Sequence, residues 1–304
     1  MSIIERALQR HQEAQRQQTP ATPAAAATPP AAAPRHATTL PSNSPAPITN
    51  VLSRENAKRP VLNLDADALE SVGLFAPTDR RRRHTHEHRV IKRNLIDLKT
   101  SSGTSRLVMV TSALAGEGKT FTSFHLARSL AMELDRQVIL VDADIPKRDM
   151  SRLLGCDSQP GLLDLLRDPT LTVQSLLIPT SIPQLWFLPV GRADEMATEL
   201  LASDRMRQVA KELAEADARC TVVFDSAPLL LTSEAQSLAQ VVDKQVLVVR
   251  AGVTSQDAVL ETVRRLGTAK PIGVVLNNWE PGGLMGKQYE AGGYYEDTFT
   301  SKAK

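Results

Sequence analysis

The sequence predicts a three-layer α/β domain with a mainly parallel sheet, preceded by a disordered linker and followed by a flexible tail. Between residues 61 and 280, short continuous apolar runs alternate with helical stretches. Such runs are typical of parallel strands that helices cover on both faces. Residues 19–60 are rich in Ala, Pro, Thr and Ser, whereas residues 281–304 are rich in glycine and lose all periodicity. The linker has too little apolar surface to offset the entropy cost of ordering it.

The predicted elements follow from the positions of the apolar runs. Strands are expected at residues 107–111, 137–141, 185–189, 221–224, 245–249 and 272–276. Helices are expected at about residues 87–99, 119–134, 203–216 and 255–266. Because strands and helices alternate, the helices should cover both faces of the sheet and give three layers.

The first 18 residues predict a short helix. Ser2 and Glu5 have the spacing of a capping box, and a few apolar side chains, Ile3, Ile4, Ala7 and Leu8, fall on one face. This face is small, so the segment is either a terminal helix without a partner or a docking peptide, with a membrane anchor a weaker alternative. The four arginines at residues 80–83 are expected to be a solvated basic run.

Composition excludes several classes of protein. The chain has 36 Lys and Arg against 34 Asp and Glu, so no global field favours nucleic acid as a partner. Cys156 and Cys220 have no metal or redox spacing, which argues against a zinc site or a disulfide framework. No run approaches the roughly 18–20 apolar residues of a spanning helix. We therefore expect a cytoplasmic chain without a direct membrane span.

Residues 112–120 match the phosphate-binding loop of P-loop NTPases. A predicted strand enters the loop and a predicted helix leaves it, so backbone N–H groups and the helix N-terminus can face phosphates. Lys119 would supply charge to the β- and γ-phosphates, and the Thr120 hydroxyl can bind magnesium. The sequence thus predicts ATP with Mg²⁺ as cofactors. The predicted nucleotide contacts in this segment are Ala115, Gly116, Glu117, Gly118, Lys119, Thr120 and Phe121.

Two further apolar runs end in aspartate. Asp142 and Asp144 follow one predicted strand, and Asp225 ends another. Each aspartate could merely form a turn. However, the carboxyl ends of parallel strands gather at the ligand-binding edge of the sheet. Together with the phosphate loop, these residues predict carboxylates near the phosphates.

Three segments resemble the nucleotide site of bacterial tyrosine autokinases. They read SALAGEGKT, VILVDAD and VVFDSAP, where that family has S-x-x-P-G-E-G-K-[ST], a strand ending D-x-D and a strand ending D-x-x-P. The opening MSIIERAL, the Pro/Ala linker and the segment RVIKRNL are similar to the cytoplasmic subgroup encoded with exosortase-linked exopolysaccharide loci. The resemblance covers most of the chain from Val61 onward.

The resemblance implies roles for the site residues. Lys119, Asp142, Asp144 and Asp225 would be catalytic, with either Asp142 or Asp144 accepting or orienting the proton of a tyrosine. Thr120, Asp144 and Asp225 would hold the metal. Asn277 matches a position that reads the nucleotide base in relatives, although an Asn after a strand could also belong to a turn.

The sequence departs from the family pattern in three places. Ala115 replaces the usual proline, which should change the stiffness of the loop more than its charge. Pro146 stands where the family often has arginine, and Lys147 and Arg148 follow it. In the helix before the core, the pattern E-x-x-R-x-x-R becomes His86, Arg89 and Lys92, with Glu87 displaced by one position. In relatives, that segment packs one subunit against the next.

All three tyrosines of the chain, Tyr289, Tyr294 and Tyr295, lie in the glycine-rich tail. Tyrosines usually contribute their rings to cores or interfaces, so their absence from the predicted domain is unusual. A sticky or disordered tail is one explanation. In tyrosine autokinases, the phosphate acceptors cluster in this segment, so the resemblance implies that these three hydroxyls are the phosphoacceptors.

The resemblance also implies partners and leaves two rival functions open. Relatives act in exopolysaccharide polymerisation and export with a membrane chain-length determinant protein, which would recruit this chain to the inner face of the plasma membrane, and they form homo-oligomers. One rival is an ATPase switch of the MinD/ParA type, but such proteins usually carry a signature lysine at the second loop position, where this chain has Leu114. The other rival is a nucleotide-dependent adaptor of a polysaccharide export complex.

Overall fold

The computed structural model describes Leu52 and residues 59–98 and 106–279. The predicted helix over residues 1–18 and the tail of residues 281–304 lie outside the described residues, as does most of the linker. Leu52 is 4% exposed and packs in the core, and the guanidinium of Arg59 donates to the carbonyl of Pro160. Contacts with the domain therefore begin before the predicted boundary at Val61.

Within the described residues, one sheet has seven strands in the order β3-β4-β2-β5-β1-β6-β7. The bounds are β1 Leu107–Ser112, β2 Gln137–Ala143, β3 Ile178–Pro179, β4 Leu185–Leu188, β5 Cys220–Ser226, β6 Lys244–Arg250 and β7 Ile272–Asn277. All neighbouring pairs are parallel except β3 with β4. The six predicted strands and the mainly parallel sheet are confirmed. The two-residue β3 was not predicted, because it is too short to produce a pattern.

The helices in the described part of the chain are α1 Ala66–Ser71, α2 Arg81–Asp97, α3 Lys119–Ala131, α4 Asp149–Leu153, α5 Leu162–Arg167, α6 Val173–Leu176, α7 Ala197–Ala202, α8 Asp204–Glu215, α9 Ser233–Val241 and α10 Gln256–Leu266. The predicted helices α3, α8 and α10 are present, although α3 ends before the exposed Leu134. The prediction placed the start of α2 too late. The helix begins within the arginine run because Arg81 forms ion pairs with Asp67 and Glu70 of α1 and anchors the first turn.

Alternate residues of the strands face two separate hydrophobic cores. In β1, Leu107 and Met109 belong to one core, while Val108 and Val110 belong to the other. The first core includes residues of α5, α8 and α9, and the second includes residues of α2 and α3. Helices therefore cover both faces of the sheet, as the continuous apolar runs of the strands predicted.

A cluster of aromatic and histidine rings joins α2 to α3. The rings of Phe121 and His125 on α3 are 4.3 Å apart between centroids, and those of His125 and His88 on α2 are 4.8 Å apart. Nε2 of His125 lies 2.9 Å from the carbonyl oxygen of Leu74, so this nitrogen carries the proton and donates it. Burial, followed by the nearby His88, lowers the pKa of His125 to about 3.

Stability should fall as pH falls, because His125 stays neutral in the folded chain. Its folded pKa of about 3 lies below the ordinary histidine pKa of 6.5, so the unfolded state binds the proton first as pH falls below about 6.5. Between pH 7.5 and pH 5, protonation of His125 in the unfolded state should lower the free energy of unfolding by about 2 kcal/mol. In urea titrations at both values, His125→Gln should lose about 2 kcal/mol less than the unmodified chain between pH 7.5 and pH 5. Equal losses in both proteins would contradict this assignment.

Candidate nucleotide site

The phosphate loop lies where β1 passes into α3. Gly116 and Gly118 have φ angles of +79° and +93°, in the left-handed region that glycine adopts at little cost. A Cβ atom built on Gly118 would lie 2.0 Å from Nδ2 of Asn277. Position 118 therefore favours glycine for two reasons, the backbone angle and the close approach of the Asn277 side chain.

Gly118→Ala is expected to destabilise the chain by about 1–3 kcal/mol and to weaken ATP binding, because the new methyl group collides with Asn277. Gly116→Ala is a matched control: it also has a positive φ angle, but among the described atoms none lies within 4 Å of an added Cβ. The control should carry only the strain of the left-handed conformation, about 1 kcal/mol. Denaturant unfolding measures the loss of stability in both variants, and an equal loss would argue against the Asn277 contact; ATP titration calorimetry measures the binding of Gly118→Ala.

Lys119 and Asp144 form a buried ion pair at the first turn of α3. Their side chains are 5% and 0% exposed, and Nζ of Lys119 lies 2.8 Å from Oδ2 of Asp144. Burial alone would lower the pKa of Lys119, but the carboxylates of Asp144 and Asp225 outweigh it and raise the pKa. The lysine is therefore charged at neutral pH and is held at the start of the loop helix.

Asp142 is the buried neighbour of Asp225 across the pairing of β2 with β5. Its two oxygens accept hydrogen bonds from the backbone amides of Asp144, at 3.1 Å, and Ser151, at 2.7 Å. Burial raises the pKa of Asp142 to about 6. As placed, Asp142 holds the turn after β2, while Asp144 faces Lys119.

Asp225 at the end of β5 has one oxygen suited to a metal ligand. Its Oδ1 accepts a hydrogen bond of 2.9 Å from Ser123. Its Oδ2 is buried and makes no hydrogen bond of normal geometry with any residue that the structure describes. Burial raises the pKa of Asp225 to about 7, against the lowering effects of Lys119 and of the nearby Thr120 hydroxyl.

These groups fit the predicted magnesium ion. The uncommitted Oδ2 of Asp225 and the neighbouring Thr120 hydroxyl are hard oxygen donors. In the described part of the chain, no group of three or more His, Cys, Asp or Glu residues is arranged to hold a metal. Mg²⁺ usually takes one or two protein ligands and completes its shell with phosphate and water.

The other predicted nucleotide contacts take different positions. Ala115 and Gly116 are exposed on the loop, whereas Glu117 is only 2% exposed. The ring of Phe121 packs against histidines of α2, so its side chain serves the helix junction. Nδ2 of Asn277 donates to the carbonyl oxygen of Glu117 at 2.9 Å. Base reading by Asn277 stays a prediction, and the structure adds a contact with the loop backbone.

Sequence reasoning missed three residues that support the site. The hydroxyl of Ser123 lies 2.9 Å from Oδ1 of Asp225 and 2.9 Å from the carbonyl oxygen of Lys119, four residues earlier, and these two acceptors share its one proton. The helical spacing from Lys119 was the signal that could have revealed it. The hydroxyl of Ser151 accepts from the amide of Val190, and Thr254 contacts Glu117. Neither of these two contacts has a signature in sequence, because each joins distant segments.

Arg148 does not supply a cation next to the aspartates. Its φ angle is +56°, and its guanidinium donates to the carbonyls of Asp157 and Gly191. Lys147 is exposed, and its backbone amide donates to Oδ1 of Asp144 at 3.3 Å. Of the two basic residues after Pro146, Lys147 is therefore the one whose side chain is available at this edge.

Among the helices that the structure describes, none has both the length and the apolar character of a membrane span.

Cys156 and Cys220 are both buried free thiols, and burial raises the pKa of Cys220 to about 12. A thiol with so high a pKa is unreactive at neutral pH.

The strand, glycine loop and helix, with a buried lysine and aspartates at the carboxyl edge of a parallel sheet, define a P-loop nucleotide-binding protein. A model of the CobQ/CobB/MinD/ParA nucleotide binding domain matches residues 108–291, and the chain belongs to this family.

Comparison with individual proteins confirms the resemblance to bacterial tyrosine kinases. The chain is 29% identical over 233 residues to tyrosine-protein kinase YwqD of Bacillus subtilis, which covers 75% of this chain and 94% of that protein. It is 26% identical over 188 residues to tyrosine-protein kinase ptk of Acinetobacter johnsonii, covering 61% of this chain but only 25% of that longer protein. The crystal structure of the VpsO kinase domain matches with a TM-score of 0.57 and 29% identity, over 67% of this chain and all of that one.

Proposed function

We propose that this protein is an ATP-dependent protein-tyrosine autokinase that transfers phosphate to Tyr289, Tyr294 and Tyr295. The observation that carries the proposal is similarity to a tyrosine-protein kinase over 94% of that kinase's length. The site agrees with it, because the charged, buried Lys119 lies between two carboxylates. At the second position of the loop this chain has Leu114, where MinD/ParA-type switches usually have a signature lysine. This difference supports a kinase rather than such a switch.

The chemistry asks the protein to position the phosphoryl group and to neutralise charge. Lys119 and the amides of the loop bind the β- and γ-phosphates. Magnesium, held by Thr120 and Asp225, would offset phosphate charge when bound. The tyrosine oxygen forms a bond to the γ-phosphorus, the bond from that phosphorus to the bridging oxygen breaks, and ADP leaves.

The proton of the tyrosine hydroxyl needs an acceptor, because a phenol with a pKa of about 10 is protonated at pH 7. Asp142 and Asp144 are the candidates. Asp142 already accepts two backbone hydrogen bonds, whereas Asp144 lies beside Lys119 and its phosphate-binding position. We assign to Asp144 the orientation of the tyrosine hydroxyl and the acceptance of its proton, and to Asp142 the support of the turn that presents Asp144.

We further propose that the kinase acts in exopolysaccharide polymerisation and export and works as a homo-oligomer. Its partner would be a membrane chain-length determinant protein, which would recruit it to the inner face of the plasma membrane. Each phosphate adds about −1.5 to −2 charges at neutral pH, so phosphorylation makes the tail strongly anionic. That charge would weaken docking of the tail on a neighbouring subunit and switch the assembly.

Incubation of the full chain with γ-labelled ATP and magnesium tests the proposal. We expect label on the protein that survives acid and is absent from a variant with Tyr289, Tyr294 and Tyr295 changed to Phe. That variant should still bind ATP, because the described residues of the site, from Ser112 to Asn277, all precede the tail in sequence. Release of free phosphate without labelled protein would favour an ATPase switch, since the matched family also includes MinD and ParA.

A further inference from the structure

The carboxylate of Glu117, within the phosphate loop, is buried and hydrogen-bonded to other groups of the protein. Glu117 is 2% exposed, and its Oε2 accepts a hydrogen bond of 3.0 Å from the backbone amide of Leu114. Its Oε1 accepts a hydrogen bond from the hydroxyl of Thr254. An acidic side chain in a phosphate-binding loop would otherwise repel the ligand. Both oxygens are instead occupied by groups of the protein.

Thr254 is itself held firmly by the end of β6. Its hydroxyl oxygen accepts from the backbone amide of Arg250 at 3.0 Å, and its own amide donates to the Arg250 carbonyl at 3.0 Å. The hydroxyl therefore has one proton to donate, and it donates that proton to Glu117. The guanidinium of Arg250 reaches the carbonyl of Gly116 at 3.4 Å. The segment from Arg250 to Thr254 thus contacts the loop at two points.

We propose that Glu117 and Thr254 form a clamp that fixes the phosphate loop in its binding conformation before nucleotide arrives. The loop between Leu114 and Gly118 contains two glycines with positive φ angles, which leave an unrestrained backbone many conformations. A loop that is already ordered loses less entropy on binding. Thr254 and Glu117 are positioning residues, because they act through the loop amides that would contact phosphate. The proposal rests on the proposed use of ATP.

Thr254→Val keeps the shape of the side chain but removes both the proton donated to Glu117 and the oxygen that accepts from the Arg250 amide, whereas Glu117→Gln leaves the bond between Thr254 and Arg250 in place. We expect the Kd for ATP with magnesium, measured by calorimetry on the full chain, to rise about tenfold, as for the loss of a hydrogen bond to a charged group. KM for ATP in phosphotransfer should rise by a similar factor, with kcat changed much less. Thr254→Ser, which keeps the hydroxyl, should recover most of the affinity. Glu117→Gln, which removes the charge, should weaken binding in the same direction as Thr254→Val.

A matched control is Thr198→Val, because the hydroxyl of Thr198 donates to Oε1 of Glu234 at 2.8 Å and joins α7 to α9. This variant loses the same kind of hydrogen bond outside the loop and should bind ATP like the unmodified chain.

The clamp is wrong if Thr254→Val binds ATP normally, or if Thr254→Ser binds as weakly as Thr254→Val. If Thr254→Val does not fold, normal affinity in Glu117→Gln would overturn it. Because calorimetry needs no phosphotransfer, a chain that binds ATP but labels no tyrosine would contradict the proposed kinase and leave the clamp standing.

Discussion

Lys119→Ala is expected to lower the rate of tail phosphorylation by about a hundredfold to a thousandfold, the usual effect of losing a group that stabilises charge in the transition state. Nζ of Lys119 lies 2.8 Å from Oδ2 of Asp144, and the carboxylate of Asp225 also attracts it. Without it, the γ-phosphate would face the carboxylates alone. Initial rates of label transfer from γ-labelled ATP measure the effect.

The same substitution should also destabilise the chain, because it leaves Asp144 buried without its ion-pair partner, a change that costs about 3–5 kcal/mol in other proteins. Lys119→Ala combined with Asp144→Asn separates the two effects. The double variant should regain much of the stability, since no unpaired charge remains, but it should not regain activity. A Lys119→Ala variant that phosphorylates its tail at a tenth of the normal rate or faster would contradict the assigned role.

Asp225→Asn is expected to lower activity by about a hundredfold or more and to raise the free energy of unfolding at pH 7.5. The carboxyl is fully buried, and burial raises its pKa from 3.8 to about 7. A raised pKa means that the folded state binds the proton more tightly than the unfolded state, so Asp225 costs stability as pH rises from about 4 to about 7. Asparagine keeps an oxygen for Ser123 and removes the charge.

Measured by denaturant unfolding, the stability gap between Asp225→Asn and the unmodified chain should be small at pH 4 and grow to about 4 kcal/mol at pH 7.5, since burial raises the pKa of Asp225 from 3.8 to about 7. Asp142→Asn is the control, because both oxygens of Asp142 accept backbone hydrogen bonds and an amide NH₂ cannot accept one. The control should be less stable at neutral pH despite the loss of a buried charge. A gap for Asp225→Asn that shrinks as pH rises would contradict the sign of the pKa shift.

The phosphate loop and the strands were predictable because each is a local signal. A buried parallel strand such as β5 is a continuous apolar run, and Gly118, Lys119 and Thr120 are adjacent in sequence. The aspartates followed from the rule that parallel strands end at one edge, which the register of Asp142 with Asp225 confirms. The short helices α4 to α7 have four to six residues each, too few to establish a helical period.

Long-range side-chain contacts were not predictable in the same way. The packing of Phe121 on the histidines of α2 depends on the docking of two helices, and the contact of Glu117 with Thr254 spans 137 residues. The early start of α2 had the same cause, since Arg81 needs Asp67 and Glu70 from another helix. In each case, contacts between distant segments determined the conformation, which local sequence propensity did not specify.

The most direct test of the central claim is mass-spectrometric mapping of tail peptides after incubation of the full chain with ATP and magnesium. The account predicts phosphate on Tyr289, Tyr294 and Tyr295 in the unmodified chain and, after the same short incubation, at most about a hundredth as much in the Lys119→Ala variant. An unmodified tail, with ATP converted to ADP and free phosphate, would contradict the account and show a nucleotide hydrolase in its place.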